Sequence, residues 1–231
     1  LDHTSNTIYV AFKVKETNKD FLKDTSIIIW TTTPWTIPAN KALAFNSNIE
    51  YTILEIDNLE HFKDKRIVVA KNLIESITKA CEIKSYKELK TFKGSEFTGT
   101  ICSHPFLKLD FDYNVPMLDA QFVNLEQGTG IVHCAPSHGP DDFNLCLKHG
   151  IKSLDTIDDD GRYTKHIEKF EGIHIFKADQ IVIQNLKECK KLLANGKLTH
   201  SYPHSWRSKA PLVHRATSQW FISMEKKELR K

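Results

Sequence analysis

Short runs of apolar residues, either continuous or alternating with polar ones, dominate the first two thirds of the chain. Their β-branched and aromatic side chains favour extended, partly buried backbone, so each run predicts a strand. The predicted strands cover residues 7–14, 26–31, 51–56, 66–70, 98–102 and 129–133. This part of the molecule is therefore expected to be mainly β.

Helical periodicity is confined to fewer segments. Residues 72–80 and 178–194 carry apolar side chains on one helical face, and the asparagine–glycine pair at 195–196 is a common signal for a helix end. A third helix is predicted to begin at Pro140, which suits the first helical position, and to stop at Gly150. Strands with short peripheral helices predict an α+β, β-barrel-like fold rather than a doubly wound sheet.

Composition describes a soluble globular chain. The 231 residues are 40% hydrophobic and 26% charged with a formal net charge of +3, and no apolar run reaches the roughly 18 residues of a membrane helix. No basic, apolar-centred signal peptide opens the sequence. Five widely spread cysteines without a CxxC pair argue against a disulfide framework or a zinc knuckle. A reducing compartment, the cytoplasm, is expected.

The positive charge is concentrated at the C-terminal end. From Thr199 onward seven basic residues accompany two acidic ones, which gives this segment about +5 and leaves the rest near about −2. A polyanionic ligand is therefore expected to bind at this C-terminal end rather than elsewhere on the chain. The segment is also rich in histidine and aromatic residues, so we predict a domain at residues 1–199 followed by a distinct segment at 200–231.

The most unusual segment is WTTTPWTIPAN at residues 30–40. A strand that ends in three threonines and then Pro34 cannot extend its ladder, because proline has no amide hydrogen. Threonine hydroxyls and nearby amides are then left at an open strand end, where a small polar ligand could bind. The alternative is that the β-branched threonines only favour the strand itself.

A second unusual segment is GTGIVHCAPSHGPDDF at residues 128–143. Its glycines permit a tight approach, a short buried strand follows, and His133 leads into a turn that feeds a helix. Asp141 and Asp142 occupy the first helical turn, where the helix dipole favours an ionised carboxylate. Such a carboxylate at a pocket rim is a natural partner for a substrate ammonium, although ordinary helix capping is the alternative.

The same residues allow three other kinds of site. A zinc site has suitable ligand types but no recognised spacing. A cysteine nucleophile needs an activating histidine, and a serine triad needs a three-dimensional geometry that adjacency in sequence does not supply. The residues concerned are His133, Cys134, Ser137, His138, Cys146 and His149. None of these sites explains the threonine run.

Together, WTTTPWTIPAN at 30–40 and GTGIVHCAPSHGPDD at 128–142 resemble the editing domains of isoleucyl-tRNA synthetases, which are class I aminoacyl-tRNA synthetases. HSYPHSWRSKAPLVHRATSQWFI at 200–222 resembles the segment by which such chains return to the catalytic core. The three blocks cover nearly the whole chain in the family's order. Related valyl and leucyl enzymes carry an arginine after the paired threonines, whereas this chain has Thr33, as isoleucyl enzymes do.

The resemblance implies hydrolytic proofreading of valine, as deacylation of valyl-tRNA(Ile) or hydrolysis of valyl-adenylate. A binding pocket gains only about 1–3 kcal/mol from the one methylene that separates isoleucine from valine, a magnitude established for this family and not obtained from this chain. A second site that admits valine and excludes isoleucine supplies the remaining accuracy.

The family's site residues carry over position by position. The implied catalytic residues are Thr31, Thr32, Thr33, His133 and Asp142, and the implied substrate-binding residues are Trp35, Asn40, His133 and Asp142. In this assignment Asp142 binds the α-ammonium and His133 helps to size the side-chain pocket. Threonine hydroxyls or amides would stabilise the developing oxyanion.

The implied partners are the acceptor end of tRNA(Ile) carrying valine and the rest of the synthetase. Arg207, Lys209 and Arg215 are candidate tRNA contacts, with packing against the catalytic core of the whole enzyme as the alternative. Trp206 and Trp220 are expected to be buried anchors, with stacking on nucleotides as the alternative. The editing reaction is expected to need no cofactor or metal. We expect a monomer that does not contact membranes.

The HIGH motif and KMSKS loop of the family's aminoacylation core do not occur in this sequence. The chain is therefore expected not to bind ATP or charge tRNA, and its start at Leu1 suggests an excised domain. Two other functions stay open at this point: a non-catalytic module that binds the tRNA acceptor end, and a free-standing hydrolase with metal or cysteine chemistry.

Overall fold

Ten strands of one mixed sheet make up most of the structure, a computed structural model in which residues 1–57, 59–220 and 222–225 are described. The strands are β1 (Asp2–Glu16), β2 (Ser26–Thr31), β3 (Ala42–Phe45), β4 (Glu50–Ile56), β5 (Arg66–Ala70), β6 (Tyr86–Lys93), β7 (Ile101–Ser103), β8 (Asn114–Asp119), β9 (Val132–Cys134) and β10 (Leu192–Ser201). The helices are α1 (Ile74–Ala80), α2 (Pro140–Lys148) and α3 (Ile175–Glu188). Six short 3-10 turns join them within the described residues, and the one that matters for the site is Pro34–Ala39.

The long strand β1 organises the sheet. It pairs with β2 on one edge, and on the other edge with β10 along its first half and β7 near its end. The full order is β6-β4-β5-β2-β1-β7-β8-β3-β9. The pairs β2–β5 and β3–β8 are parallel, and the other ladders are antiparallel.

The two distant ends of this order return toward each other. The amide of Ala70, at the end of β5, donates to the carbonyl of Thr129 at 2.8 Å, just before β9. The Tyr51 hydroxyl on β4 donates to the Gly130 carbonyl at 2.7 Å. These bonds curl the sheet around its main core without a closing ladder, so the predicted barrel-like α+β architecture is confirmed in a loose sense.

Gly130 permits this close approach. Its φ is +74°, and a Cβ there would collide with the Cβ of Ala70. Gly150 has a similar φ of +72° but nothing within 4 Å of its Cβ position. We therefore expect Gly130→Ala to lower the free energy of unfolding by about 2–4 kcal/mol, against about 1 kcal/mol for Gly150→Ala. Urea unfolding of both variants measures the difference, and equal losses would contradict it.

Two hydrophobic clusters lie on opposite faces of β3 and β9. The main core joins β1, β2, β4 and β5 to the buried face of α3. A smaller cluster joins Ala42, Ala44 and Cys134 to Leu145 and Cys146 of α2. All five cysteines of the chain are buried free thiols.

Each predicted strand overlaps an observed one, and residues 26–31 and 66–70 match in full. The helix predicted from Pro140 is confirmed as α2, and the one predicted at 72–80 as α1 after a 3-10 turn. The helix predicted over 178–194 is wrong at its end. It stops at Glu188, Lys190 takes a positive φ of 58°, and the chain enters β10.

The asparagine–glycine pair therefore does not end a helix. Asn195 and Gly196 lie inside β10, paired with Ile8 and Thr7 of β1. The ladder to β1 satisfies their backbone groups, which outweighs the local turn preference. Because β10 continues to Ser201, the boundary predicted between 199 and 200 falls within a strand, and the domain division stays a prediction.

No helix among the described residues is both long and apolar enough to cross a membrane. Four residues of the predicted basic segment, Lys226, Lys227, Arg230 and Lys231, lie outside the described residues.

Candidate active site

The threonine segment leaves β2 at Thr31 and folds at once into the 3-10 turn Pro34–Ala39. The hydroxyl of Thr31 lies 3.0 Å from that of Thr33 and accepts the Thr33 amide at 3.1 Å. The Thr36 hydroxyl donates to the Thr33 carbonyl at 2.8 Å. Thr32 has no side-chain hydrogen bond within the described part of the chain. Its hydroxyl is therefore the one most available to a ligand.

His133 joins this segment to β9. Its Nδ1 lies 2.9 Å from the Asn40 side-chain nitrogen and its Nε2 lies 2.8 Å from the Thr36 hydroxyl. The Asn40 nitrogen also donates to the Ala42 carbonyl at 2.9 Å, so it is the amide NH₂, and Nδ1 must accept from it. Nε2 therefore carries the ring proton and donates to Thr36.

The imidazole of His133 is neutral. Burial, and to a lesser extent the nearby His138, lower its pKa to about 3. Both ring nitrogens are occupied by protein groups, and the residue is only 7% exposed. His133 is therefore held in one orientation, and it is not available as a general base.

Asn40 is fully buried, and its hydrogen bond to Nδ1 fixes the orientation of the His133 ring. The Tyr113 hydroxyl donates to the Asn40 carbonyl at 2.6 Å, which holds the backbone in place. The side-chain oxygen of Asn40 is buried without a hydrogen-bond partner in the described structure.

Asp142 lies in the first turn of α2, a short distance along the chain after β9 ends at Cys134. One carboxylate oxygen accepts the Ala135 amide at 2.9 Å, while Gly139 leaves room for the carboxylate, since a Cβ there would lie 3.1 Å from it. Burial raises the pKa of Asp142 to about 6, which the Ala135 bond only partly offsets. Burial therefore opposes the ionised form that a helix N-terminus favours, although the carboxylate is still mainly ionised at pH 7.

His133 and Asp142 occupy different sides of β9. Cys134 packs with α2, and strand alternation turns His133 to the opposite face. Among the predicted site residues, the structure joins Thr31, Thr33, Asn40 and His133 in one hydrogen-bonded network. Within the described residues, the hydrogen bonds of Asp142 connect it to this network through the Ala135 amide and the backbone back to His133.

Two pockets flank the threonine segment. One of about 250 Å³ lies between Trp30, Thr31 and Thr32 and the strand approach at 128–132. The other, of about 370 Å³, is lined by Thr32, Thr33, Trp35, His3, Tyr202 and Asp179. Thr32 therefore borders both.

Residues 214–216, in the C-terminal segment after β10, pack against the turn that precedes α2. The Ala216 amide donates to the Ser137 carbonyl at 2.8 Å. His138 Nδ1 lies 3.0 Å from the His214 carbonyl, and the His138 ring meets Trp35 edge-on with centroids 4.7 Å apart. The predicted site residue Trp35 is thus held between the threonine segment and this turn.

The three candidate tRNA contacts differ in their surroundings. Arg215 is paired with Asp159 at 2.5 Å, whereas Lys209 is exposed, and Arg207 is exposed over the Trp206 ring. Trp206 and Trp220 are 75% and 101% exposed. The expectation that these tryptophans are buried anchors is wrong within the described structure, because both indoles are largely exposed.

The zinc, cysteine and serine sites weighed as alternatives have no matching geometry in the part of the chain that the structure describes. Burial and the neighbouring Asp142 hold the pKa of the Cys134 thiol well above its usual range. The Ser137 hydroxyl donates to the Leu154 carbonyl at 2.6 Å, while His138 Nε2 lies 2.8 Å from Thr156. In the described ranges no three His, Cys, Asp or Glu side chains are grouped as metal ligands would be.

Sequence reasoning missed Thr36, Tyr113 and Asp179 as parts of the site. Thr36 stands three residues after Thr33 with Pro34 between them, and this spacing could have indicated a tight turn that returns its hydroxyl. Tyr113 and Asp179 reach the segment from distant elements, and no local signal marks them.

Comparison with known proteins decides the family. Residues 4–194 match the family model described as the leucyl-tRNA synthetase editing domain, which is well over half of the chain. The chain belongs to this editing-domain family.

Among similar proteins, this editing domain resembles parts of isoleucine–tRNA ligases. It is 69% identical over 230 residues to the isoleucine–tRNA ligase of Pelagibacter ubique (strain HTCC1062), covering 100% of this chain and 25% of that protein. It is 42% identical to that of Gluconobacter oxydans (strain 621H), covering 97% and 25%. The predicted isoleucyl resemblance is confirmed, and the chain spans about a quarter of the length of these relatives.

Solved structures support the fold of this editing domain. The crystal structure of GlLeuRS-CP1 aligns with a TM-score of 0.60 at 14% identity, covering 86% of this chain and 100% of that one. The P. falciparum cytosolic leucyl-tRNA synthetase editing domain (space group P1) aligns with a TM-score of 0.57 at 14% identity, covering 85% and 99%.

Proposed function

We propose that this editing domain hydrolyses the ester that links valine to the terminal ribose of tRNA(Ile). Water attacks the ester carbonyl, the bond to the ribose oxygen breaks, and that oxygen takes up a proton. The products are valine and uncharged tRNA. We propose that no cofactor or metal takes part, with water as the nucleophile and an alcohol as the leaving group.

The observation that carries the proposal is the bonding of His133 to Thr36 and Asn40. It links the two segments on which the family resemblance rests, although they lie about a hundred residues apart in sequence. The network fixes the threonine segment in one arrangement before substrate arrives. Amides and hydroxyls that are fixed in advance stabilise a developing oxyanion without a cost of reorganisation.

Asp142 provides the binding charge in this scheme. Its carboxylate is mainly ionised at neutral pH, and only one of its oxygens has a hydrogen-bond donor within the described structure. The second oxygen is available to the α-ammonium of the amino acid. A half-buried carboxylate binds an ammonium more strongly than an exposed one, because water screens the pair less.

The acceptor end of tRNA and the rest of the synthetase are the partners we propose, with the chain acting as a monomer. Of the three candidate tRNA contacts, Arg207 and Lys209 are exposed and available to tRNA phosphates.

The test is deacylation of valyl-tRNA(Ile) by the purified chain, with isoleucyl-tRNA(Ile) as the matched substrate. We expect release of valine above the rate of spontaneous hydrolysis and little release of isoleucine. Binding of tRNA without hydrolysis would instead identify a non-catalytic acceptor-end module.

A further inference from the structure

Asp179 holds the threonine segment at Trp35, one residue before the Thr36 hydroxyl that contacts His133. It lies on α3, where one carboxylate oxygen accepts the backbone amide of Trp35 at 3.1 Å. Its other oxygen accepts the side-chain amide of Asn6 on β1 at 3.0 Å. The carboxylate is largely buried and borders the pocket of about 370 Å³ that Thr32 and Thr33 line.

The Trp35 amide needs such an acceptor. It lies in the first residues of the 3-10 turn Pro34–Ala39, where backbone amides have no partner within the turn. Thr33, the residue that precedes the turn, makes no side-chain cap. A carboxylate from another element therefore supplies the cap, and a charged acceptor forms a stronger bond than a neutral one.

The bond at Trp35 is coupled to the site through the turn itself. The hydroxyl of the next residue, Thr36, donates to the Thr33 carbonyl and accepts a hydrogen bond from Nε2 of His133. A shift of the turn at Trp35 would move the Thr36 hydroxyl and the threonine amides together. Small displacements of groups that orient a reaction cost much of its rate.

We infer that Asp179 is a positioning residue for the editing reaction, which sets the geometry of the threonine segment through the Trp35 amide without touching the substrate. The inference rests on the proposed hydrolysis of valyl-tRNA. It assigns a role to α3, which none of the sequence segments that carry the family resemblance includes.

The test compares Asp179→Ala and Asp179→Asn with Asp64→Ala as the matched control. Asp64 is also a largely buried carboxylate with two donors, Ser26 and Lys191, but it lies at the opposite end of β2. We expect Asp179→Ala to lower kcat for valyl-tRNA deacylation about tenfold with little change in KM. Asp179→Asn retains an acceptor for Trp35 and should recover most of the rate.

Asp64→Ala should lose stability in urea unfolding to a similar degree but keep its kcat. A normal kcat for a folded Asp179→Ala variant would overturn the inference, and so would an equal fall of kcat in Asp64→Ala.

A second measurement separates the inference from the proposed function. In amide hydrogen exchange, Trp35 should exchange faster in Asp179→Ala than in the unmodified chain, and Asp179→Asn should restore its protection. If the unmodified chain does not hydrolyse valyl-tRNA, the proposed function fails while this result still reports on Asp179. Unchanged exchange at Trp35 in Asp179→Ala would overturn the inference on its own.

Discussion

Asp142→Asn is expected to abolish deacylation of valyl-tRNA while making the fold more stable. The asparagine keeps an oxygen for the Ala135 amide but cannot pair electrostatically with the α-ammonium. We expect kcat/KM to fall at least about 100-fold, which corresponds to the loss of about 3 kcal/mol of transition-state stabilisation. Steady-state deacylation with valyl-tRNA(Ile) measures this effect.

The gain in stability follows from the raised pKa of Asp142. In the folded chain the pKa is about 6, against an ordinary value of 3.8. Between these values the folded state binds more protons than the unfolded state, so this group stabilises the fold as the pH falls from about 6 to about 4. At pH 7 the buried charge opposes folding, and the neutral asparagine should raise the free energy of unfolding by about 1–2 kcal/mol.

Activity should have the opposite pH dependence, because the ionised carboxylate binds the ammonium. We expect kcat/KM to fall as the pH drops through about 6. His133 does not explain such a limb, since its pKa is about 3. Asp141→Asn is the matched control, because Asp141 is an exposed carboxylate in the same helical turn. Retained activity in folded Asp142→Asn would contradict the assignment.

Much of the sheet could be predicted because burial leaves a pattern. Strands β2 and β5 are buried along nearly their whole length and appear as continuous apolar runs. Strand β6 was missed because seven of its eight residues are exposed, so its sequence has no apolar alternation. Its place at the edge of the sheet depends on pairing with β4, which is a tertiary contact.

The transition from α3 to β10 shows a different limit. Apolar residues at helical spacing continue past the true helix end, because Leu192 and Leu193 are buried by the sheet and not by a helix face. Periodicity alone does not distinguish the two kinds of burial over so few residues.

The candidate site was predictable as a set of residues but not as an arrangement. The sequence contains the threonines, His133 and Asp142 in recognisable segments, whereas the partners of His133 depend on the register of β3 against β9. That register places Leu43 opposite His133 and turns the imidazole toward Asn40. A shift of one residue would have turned it toward α2.

His133→Ala is expected to relax the selection against isoleucine. The imidazole fills the space between Thr36 and Asn40, and both of these groups keep another hydrogen-bond partner, the carbonyls of Thr33 and Ala42. Removing the ring therefore opens a cavity beside the threonine segment with little loss of polar pairing. An added methylene is worth about 1–3 kcal/mol in such a pocket. We expect hydrolysis of isoleucyl-tRNA to rise about tenfold or more relative to that of valyl-tRNA.

Thr36→Val separates volume from hydrogen bonding. Valine preserves the shape of the wall but leaves the Nε2 proton of His133 unpaired, which should lower the free energy of unfolding by about 1–3 kcal/mol. Because no space is added, the ratio of valyl to isoleucyl hydrolysis should stay close to that of the unmodified chain. Parallel deacylation assays with both aminoacyl-tRNAs measure the ratios. A folded His133→Ala variant that still rejects isoleucyl-tRNA would show that another residue sets the size of the pocket.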